Sequence, residues 1–254
     1  MRRLLLIGIG AGDPDHLTLQ AARALGTFDV LFVVTKEDGP QELVSHRRQL
    51  VKSHRGDRPF RTVELSDPPR PWRDATDYGG EVGRWRTARV ELWEAAVGDQ
   101  LGDGECGAFL VWGDPSLYES TLTVVEEIRR RATFALEFEV IPGVSSVHAL
   151  TARHRISLNR VGSAVQITPA RLLANGMPED VDDVVVMLDP GAAFARIPAD
   201  DLDIYWGAYL GTPDELLISG ALADVSSAIL AEREDAKRRK GWIFDIYLLR
   251  RRRR

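Results

Sequence analysis

Four short stretches combine the residue types that seat small ligands: Gly8-Ile-Gly-Ala-Gly-Asp-Pro14, Gly113-Asp-Pro-Ser-Leu-Tyr118, Pro142-Gly-Val-Ser-Ser146 and Leu210-Gly-Thr-Pro213. Each follows an apolar run that reads as a β-strand. In such turns glycine admits close backbone approach, proline ends ladder pairing, and Asp or Ser supplies a polar group. Ligands of open α/β sheets gather at the carboxyl ends of strands, and several such turns meeting would make a binding site. Taken singly, Gly113 to Tyr118 reads equally well as a plain β-turn leading into a helix.

Other chemistries find little support. The first glycine turn looks like a dinucleotide fingerprint, but the third glycine is replaced by Asp13 and followed by Pro14. A carboxylate there suits pyrophosphate poorly. The five histidines, His16, His46, His54, His148 and His154, show no pair at metal-ligand spacing with an acid in support. A Gly-x-Ser-x-Gly elbow and a phosphate-binding Gly-x-x-x-x-Gly-Lys loop are both missing. The single cysteine, Cys106, excludes an internal disulfide and an all-cysteine zinc site, and implies a cytoplasmic setting.

The elements that position these turns alternate. Leu4–Gly8, Phe28–Val34, Thr62–Leu65 and Ala108–Val111 read as strands, the last without alternation, as expected of a strand covered on both faces. Thr18 is the expected N-cap of a short helix stopped by Gly26. Pro40 opens a second helix, Glu81–Gln100 forms a third with Trp85 and Trp93 on its core side, and a fourth carries Leu122, Val125 and Ile128. Residues 66–78, with Pro68, Pro69 and Pro71, form an irregular excursion. The charged run Glu126–Arg131 is taken as a hinge, giving an N-terminal α/β domain over 1–131 with a parallel sheet and a C-terminal α/β domain over 132–254. Strands at Leu136–Ile141, Ala164–Thr168, Val184–Leu188, Ile204–Leu210 and Trp242–Leu249 belong to the second domain, with an extended piece near Leu216 and a helix from Val225 to Arg238.

Bulk properties agree with a soluble globular protein. The chain has 254 residues, 44% of them hydrophobic, and a net charge of −5. It contains no run approaching the roughly 18 apolar residues of a membrane span. The negative charge and the lack of a basic and aromatic stripe speak against nucleic acid. Arginines do cluster locally, at residues 47–61 and at Arg153, Arg155 and Arg160, and either group could hold carboxylates. The first cluster reads more simply as a solvated helix face, and Arg250–Arg254 as a frayed, solvated end.

Taken in order and spacing, the four turns resemble the tetrapyrrole methylases, enzymes that use S-adenosylmethionine. The resemblance rests on Gly8-x-Gly-x-Gly-Asp-Pro-x-x-Leu-Thr18, Gly113-Asp-Pro-x-x-Tyr118, Pro142-Gly-Val-Ser-Ser146 and the late Gly-Thr-Pro around Thr212, and it covers nearly the whole chain. Each motif is weak alone and the ordered set is strong. Three further segments, Cys106–Pro115, Ala152–Arg160 and Ile204–Glu215, together with the long helix before Cys106, are similar to the subgroup that methylates precorrin-5 at carbon 1 with loss of acetate in oxygen-dependent cobalamin synthesis.

The resemblance implies two α/β domains with the cofactor in the cleft between them, the second domain bearing a mixed sheet, and a homodimer. It assigns Trp112, Gly113, Asp114, Ser145, Ser146, Met187, Leu188 and Leu210 to S-adenosylmethionine, with no metal. The first loop, through Gly10 and Gly12, would face the macrocycle, with Arg153 and Arg155 available for its carboxylates. Acetate loss requires water to attack a carbonyl, so a general base helps; Asp13 is the candidate, with Tyr118 as a polar positioner. A turn-stabilising Asp13 and a packing Tyr118 are the simpler roles. Many relatives read Gly-Gly-Asp-Pro where this chain has Trp112 in the first glycine's place, which leaves the local pocket shape open. Other acceptors in the same family, namely a different precorrin, uroporphyrinogen or a diphthamide precursor, remain as alternatives, as does a non-catalytic S-adenosylmethionine sensor.

Overall fold

The computed structural model describes residues 1–35, 41–69, 77–173 and 176–252. Pro40 and Pro71 lie outside these residues, as does most of the excursion expected over 66–78. Among the described residues the chain forms ten strands in two five-stranded sheets, with six α-helices. Its backbone separates into two compact units, Met1–Gly10 with Pro14–Val144, and Ala11–Asp13 with Ser145–Arg254.

The first unit holds β1 (Arg2–Gly8), α1 (Leu19–Leu25), β2 (Val30–Thr35), α2 (Gln41–Arg55), β3 (Arg61–Ser66), α3 (Tyr78–Gln100), β4 (Cys106–Val111), α4 (Thr121–Arg131) and β5 (Leu136–Ile141). Its sheet is parallel throughout, in the order β3-β2-β4-β1-β5. Every residue of β4 is buried, which is why its sequence does not alternate. One face of the sheet packs Leu5, Ile7 and Leu110 against Leu25 of α1 and Leu50 and Val51 of α2. The other packs Leu4, Leu6 and Phe109 against Trp93 of α3 and Val124 and Ile128 of α4. Trp93 stacks on Phe109 at 4.5 Å, and Trp85 is buried too, so both tryptophans fill the core as expected. Thr18 caps α1 by accepting from Ala21 N at 3.0 Å, and Gly26 ends it.

Two expectations need correction here. The strand Leu136–Ile141 does not open the second domain: it pairs in parallel with β1, Leu4 opposite Phe138, as the edge strand of the first sheet. Its exposed Glu137 and Glu139 reflect that edge position, and the boundary falls at Val144 rather than at residue 131. The solvated face expected over 47–61 holds at Arg48, Lys52, His54, Arg58 and Arg61 but fails at Arg55. Arg55 is only 7% exposed, packs over the rings of Phe28 and Phe60, and donates to the carbonyls of Leu25, Phe28, Arg58 and Pro59.

The second unit holds α5 (Ser146–His154), β6 (Val165–Pro169), β7 (Asp183–Met187), β8 (Leu202–Ala208), β9 (Leu216–Ala221), α6 (Leu222–Lys240) and β10 (Asp245–Arg251). Its sheet runs β6-β7-β10-β8-β9, parallel between β6 and β7 and antiparallel elsewhere. The core is built on Val184, Val186, Trp206, Tyr247 and Leu249, with Ile229 and Ala236 from α6. The arginine run is not frayed through Arg252. Arg250 pairs with Asp183, Arg251 donates to the carbonyl of Pro178, and Arg252 pairs with Asp203. Arg160, offered above as a carboxylate ligand, is engaged with Asp182 and Asp183. A carboxylate with no exposure, Asp183, demands such cations, and that need overrides the ordinary fate of a chain end.

Candidate functional site

In the first unit the turns after β1 and β4 are joined through their backbones. Gly113 N donates to Gly10 O at 2.8 Å and Gly10 N to Gly113 O at 3.3 Å. Gly8 and Gly143 press into the same place: a Cβ on Gly143 would stand 2.2 Å from Gly113 O, and one on Gly8 would stand 2.6 Å from Gly143 N. Gly113 itself has φ 71°. No side chain fits at Gly8 or Gly143, so the strand ends pack main chain on main chain there, as a cradle of backbone. Asp114 locks it. Its Oδ1 accepts from Ser116 N at 2.8 Å and its Oδ2 from Gly143 N at 2.9 Å.

Trp112 departs from the Gly-Gly-Asp-Pro pattern by turning its indole onto the core cluster of Leu5, Ile7 and Leu110. Its ring lies 5.2 Å from that of His46 on α2. Burial, and secondarily Arg47, hold the His46 imidazole below its ordinary pKa. Tyr118 lies at the end of the turn, 43% exposed and with φ 49°.

In the second unit, Gly12 and Asp13 lie against the turn after β8. A Cβ on Gly12 would meet Leu210 O at 2.4 Å, and one on Gly211 would meet Asp13 N at 2.5 Å. Glu215 ties this turn to Arg153, accepting from Gly211 N at 2.8 Å and from Arg153 Nε at 2.6 Å. Ser145 is the N-cap of α5, with its hydroxyl 2.9 Å from His148 Nδ1, and Ser146 begins the helix. Arg155 stands at the other end of α5, as its left-handed C-cap, so it is not gathered with Ser145 and Ser146. Met187 ends β7, and Leu188 follows it with φ 55° and 56% exposure.

Of the residues named from sequence, the first unit thus collects Gly10, Trp112, Gly113, Asp114 and Tyr118. The second collects Gly12 and Asp13 with Leu210, and holds Ser145, Ser146, Met187 and Leu188 at its own element ends. Strain marks the same places. Tyr118, Leu188 and Tyr209 are side-chain-bearing residues in the left-handed region, the last two just beyond a strand and Tyr118 shortly before α4, at roughly 1–3 kcal/mol apiece. Such residues persist where function needs the geometry.

Sequence reasoning missed Asp189, which is buried and accepts from Gly191 N at 3.0 Å, Ala193 N at 2.7 Å and Tyr247 OH at 2.7 Å. The signal was present in Leu188-Asp-Pro190, one of four Asp-Pro pairs in the sequence, two of the others lying in the glycine turns. Among the described residues no cluster of three or more His, Cys, Asp or Glu could hold a metal, and no helix is long and apolar enough to cross a membrane.

Comparison with known proteins agrees with this architecture. The family model for Tetrapyrrole (Corrin/Porphyrin) Methylases matches residues 3–226. A Sinorhizobium precorrin-6A synthase [deacetylating] is 46% identical over 98% of this chain and 95% of its own length. A Sinorhizobium precorrin-2 C(20)-methyltransferase is 25% identical over 67% of this chain and 65% of its own. Among solved structures, a cobalamin synthesis related protein (CobF) of Corynebacterium diphtheriae superposes with TM-score 0.84 at 34% identity, covering 99% of each chain. A Thermus thermophilus uroporphyrin-III-C-methyltransferase shares the fold alone, with TM-score 0.57 at 20% identity over 98% of this chain and 92% of its own.

Proposed function

The chain belongs to the tetrapyrrole (corrin/porphyrin) methylase family, and from that membership we propose that it methylates precorrin-5 at carbon 1 with release of acetate, giving precorrin-6A in cobalamin synthesis. The observation that carries this reading is the 46% identity, over nearly the full length of both chains, to a precorrin-6A synthase [deacetylating]. The likeness to the Corynebacterium CobF structure supports it. The more distant precorrin-2 and uroporphyrin relatives share fold or family without that closeness.

The methyl donor of this reading is S-adenosylmethionine, which supplies an electrophilic methyl group when bound. The residues present suit such a molecule. Gly113, with φ 71°, brings backbone without a Cβ to the turn after β4, and Leu188 offers an exposed apolar face at a strand end. Trp112, Gly113 and Asp114 in the first unit, and Ser145, Ser146, Met187, Leu188 and Leu210 in the second, are the proposed donor residues. Much of the rate in a methyl transfer comes from alignment, and rigid strand ends supply it. Gly10, Gly12, Arg153 and Arg155 are proposed for the tetrapyrrole. Asp13 is the proposed base for the water that adds to the acyl carbonyl: it takes the water's proton as the water adds, and collapse of the adduct breaks the acyl–carbon bond, leaving its electron pair on the macrocycle and releasing acetate. Tyr118, whose side chain is exposed, is proposed to orient polar groups of the substrate. A homodimeric, cytoplasmic enzyme completes the reading.

Incubating the protein with methyl-labelled S-adenosylmethionine and precorrin-5 tests it. Label in the product together with free acetate is expected. Neither appearing would overturn the assignment, and methylation without acetate would move it to another acceptor.

A further inference from the structure

The turn after β7 repeats the turn after β4. In both, a residue in the left-handed region precedes Asp-Pro: Gly113 with φ 71° before Asp114, and Leu188 with φ 55° before Asp189. In both, the Asp Oδ1 accepts from the amide two residues on, at 2.8 Å from Ser116 and 3.0 Å from Gly191. In both, Oδ2 reaches a more distant backbone amide, that of Gly143 or of Ala193. The difference lies in what stands behind. Asp189 also accepts from the Tyr247 hydroxyl on β10, and its carbonyl accepts from Arg233 Nη2 at 2.7 Å. Arg233 is in turn paired with buried Asp245, which also accepts from Trp206 Nε1 at 2.8 Å.

This scaffold converges on one exposed residue. Leu188 carries an unfavourable backbone, a cost that burial of its exposed apolar side chain does not offset. Removing a donor or acceptor from a buried network leaves its partners unsatisfied, so each of these groups acts on the position of its neighbour. We propose that Asp189 is a positioning residue for the methyl donor: through the Asp189–Tyr247 hydrogen bond and the Gly191 and Ala193 amides, it fixes Leu188 in the strained conformation that receives the donor's apolar face. The inference rests on the reading of Met187 and Leu188 as donor contacts. It adds that their geometry is imposed from β10 and α6 and is not intrinsic to their own sequence.

The test compares wild type with Asp189→Asn and Tyr247→Phe, measuring calorimetric binding of S-adenosylhomocysteine and separate KM values for S-adenosylmethionine and the tetrapyrrole. Loss of a charged hydrogen bond to this turn should raise the donor Kd and KM by about tenfold in Asp189→Asn, and loss of the single hydroxyl by about threefold in Tyr247→Phe. The tetrapyrrole KM and kcat should stay within about twofold, a split that general loosening of the unit would not produce. Donor affinity unchanged in folded variants, or both KM values rising together, overturns the proposal. If Asp189→Asn does not fold, Tyr247→Phe decides alone by the same criteria. Wild type failing to bind S-adenosylhomocysteine would instead sink the underlying reading of the site, a result distinct from variants that bind as wild type does.

Discussion

Arg250 Nε lies 2.5 Å from Oδ1 of Asp183, a carboxylate with no solvent exposure on β7, an interior strand of its sheet. The same guanidinium donates to the carbonyls of Ser157 and Leu158, so one side chain near the chain end closes the segment after α5 over the sheet. Arg160 is the other cation near Asp183, at 3.4 Å. Replacing Arg250 with alanine should therefore cost about 3 kcal/mol, the scale for leaving a buried charge poorly paired. The urea unfolding midpoint would register it, and a midpoint equal to wild type would show that Arg160 alone satisfies Asp183.

Leu188→Gly should separate stability from binding. Glycine accepts the left-handed backbone without a Cβ penalty, so the folded state should hold or gain up to about 1 kcal/mol. Donor affinity should nevertheless fall, because the exposed apolar contact is gone. Thermal unfolding and calorimetric binding of S-adenosylhomocysteine measure the two effects, and a variant less stable than wild type would show that Leu188 holds the fold.

Gly143→Ala should have the opposite profile, losing both properties. Its methyl would meet Gly113 O at 2.2 Å, against backbone that is itself bonded to Gly10. A loss of about 2–3 kcal/mol in stability is expected from overfilling a close backbone contact. The readout is unfolding in urea together with donor binding, and retention of wild-type affinity would mean that the cradle is not the donor's seat.

The pH dependence of stability follows from two half-buried imidazoles. Burial lowers His46, with Arg47 adding to it, and burial lowers His154 despite the Trp206 carbonyl and Glu215, which pull the other way. Above the ordinary value of 6.5 both are neutral in folded and unfolded chain alike, and they contribute nothing. As pH falls below 6.5 the unfolded chain takes up protons that the folded chain refuses, and stability declines until the folded imidazoles titrate. A His46→Gln/His154→Gln variant should lose less stability than wild type between pH 7.5 and 5.5, measured by urea midpoints. Equal losses would assign the acid sensitivity to other groups.

The glycine turns were legible because their geometry is written in residue type: Gly113 needs its φ of 71° and Pro115 ends the pairing. The matching turn at Leu188 was named but not understood, since leucine does not advertise a left-handed backbone. Its restraint, Tyr247, lies 58 residues along the chain. The same distance hid the role of Arg250, whose partner Asp183 is 67 residues away. The strand Leu136–Ile141 was recognised but assigned to the wrong sheet, because alternation reports exposure of one face and says nothing about which neighbour a strand joins. Local signals thus mark the backbone of the candidate site, while the long-range partners that hold it required the fold.

Arg55 gives the first unit something a single-cysteine chain otherwise lacks, a cross-link. One guanidinium gathers carbonyls from the end of α1, the approach to β2 and the loop before β3, packed over two aromatic rings. Such a staple is indifferent to redox potential. Thiols and peroxides leave it intact, whereas a solute that competes for the same oxygens with the same planar donor, the guanidinium ion itself, attacks it directly.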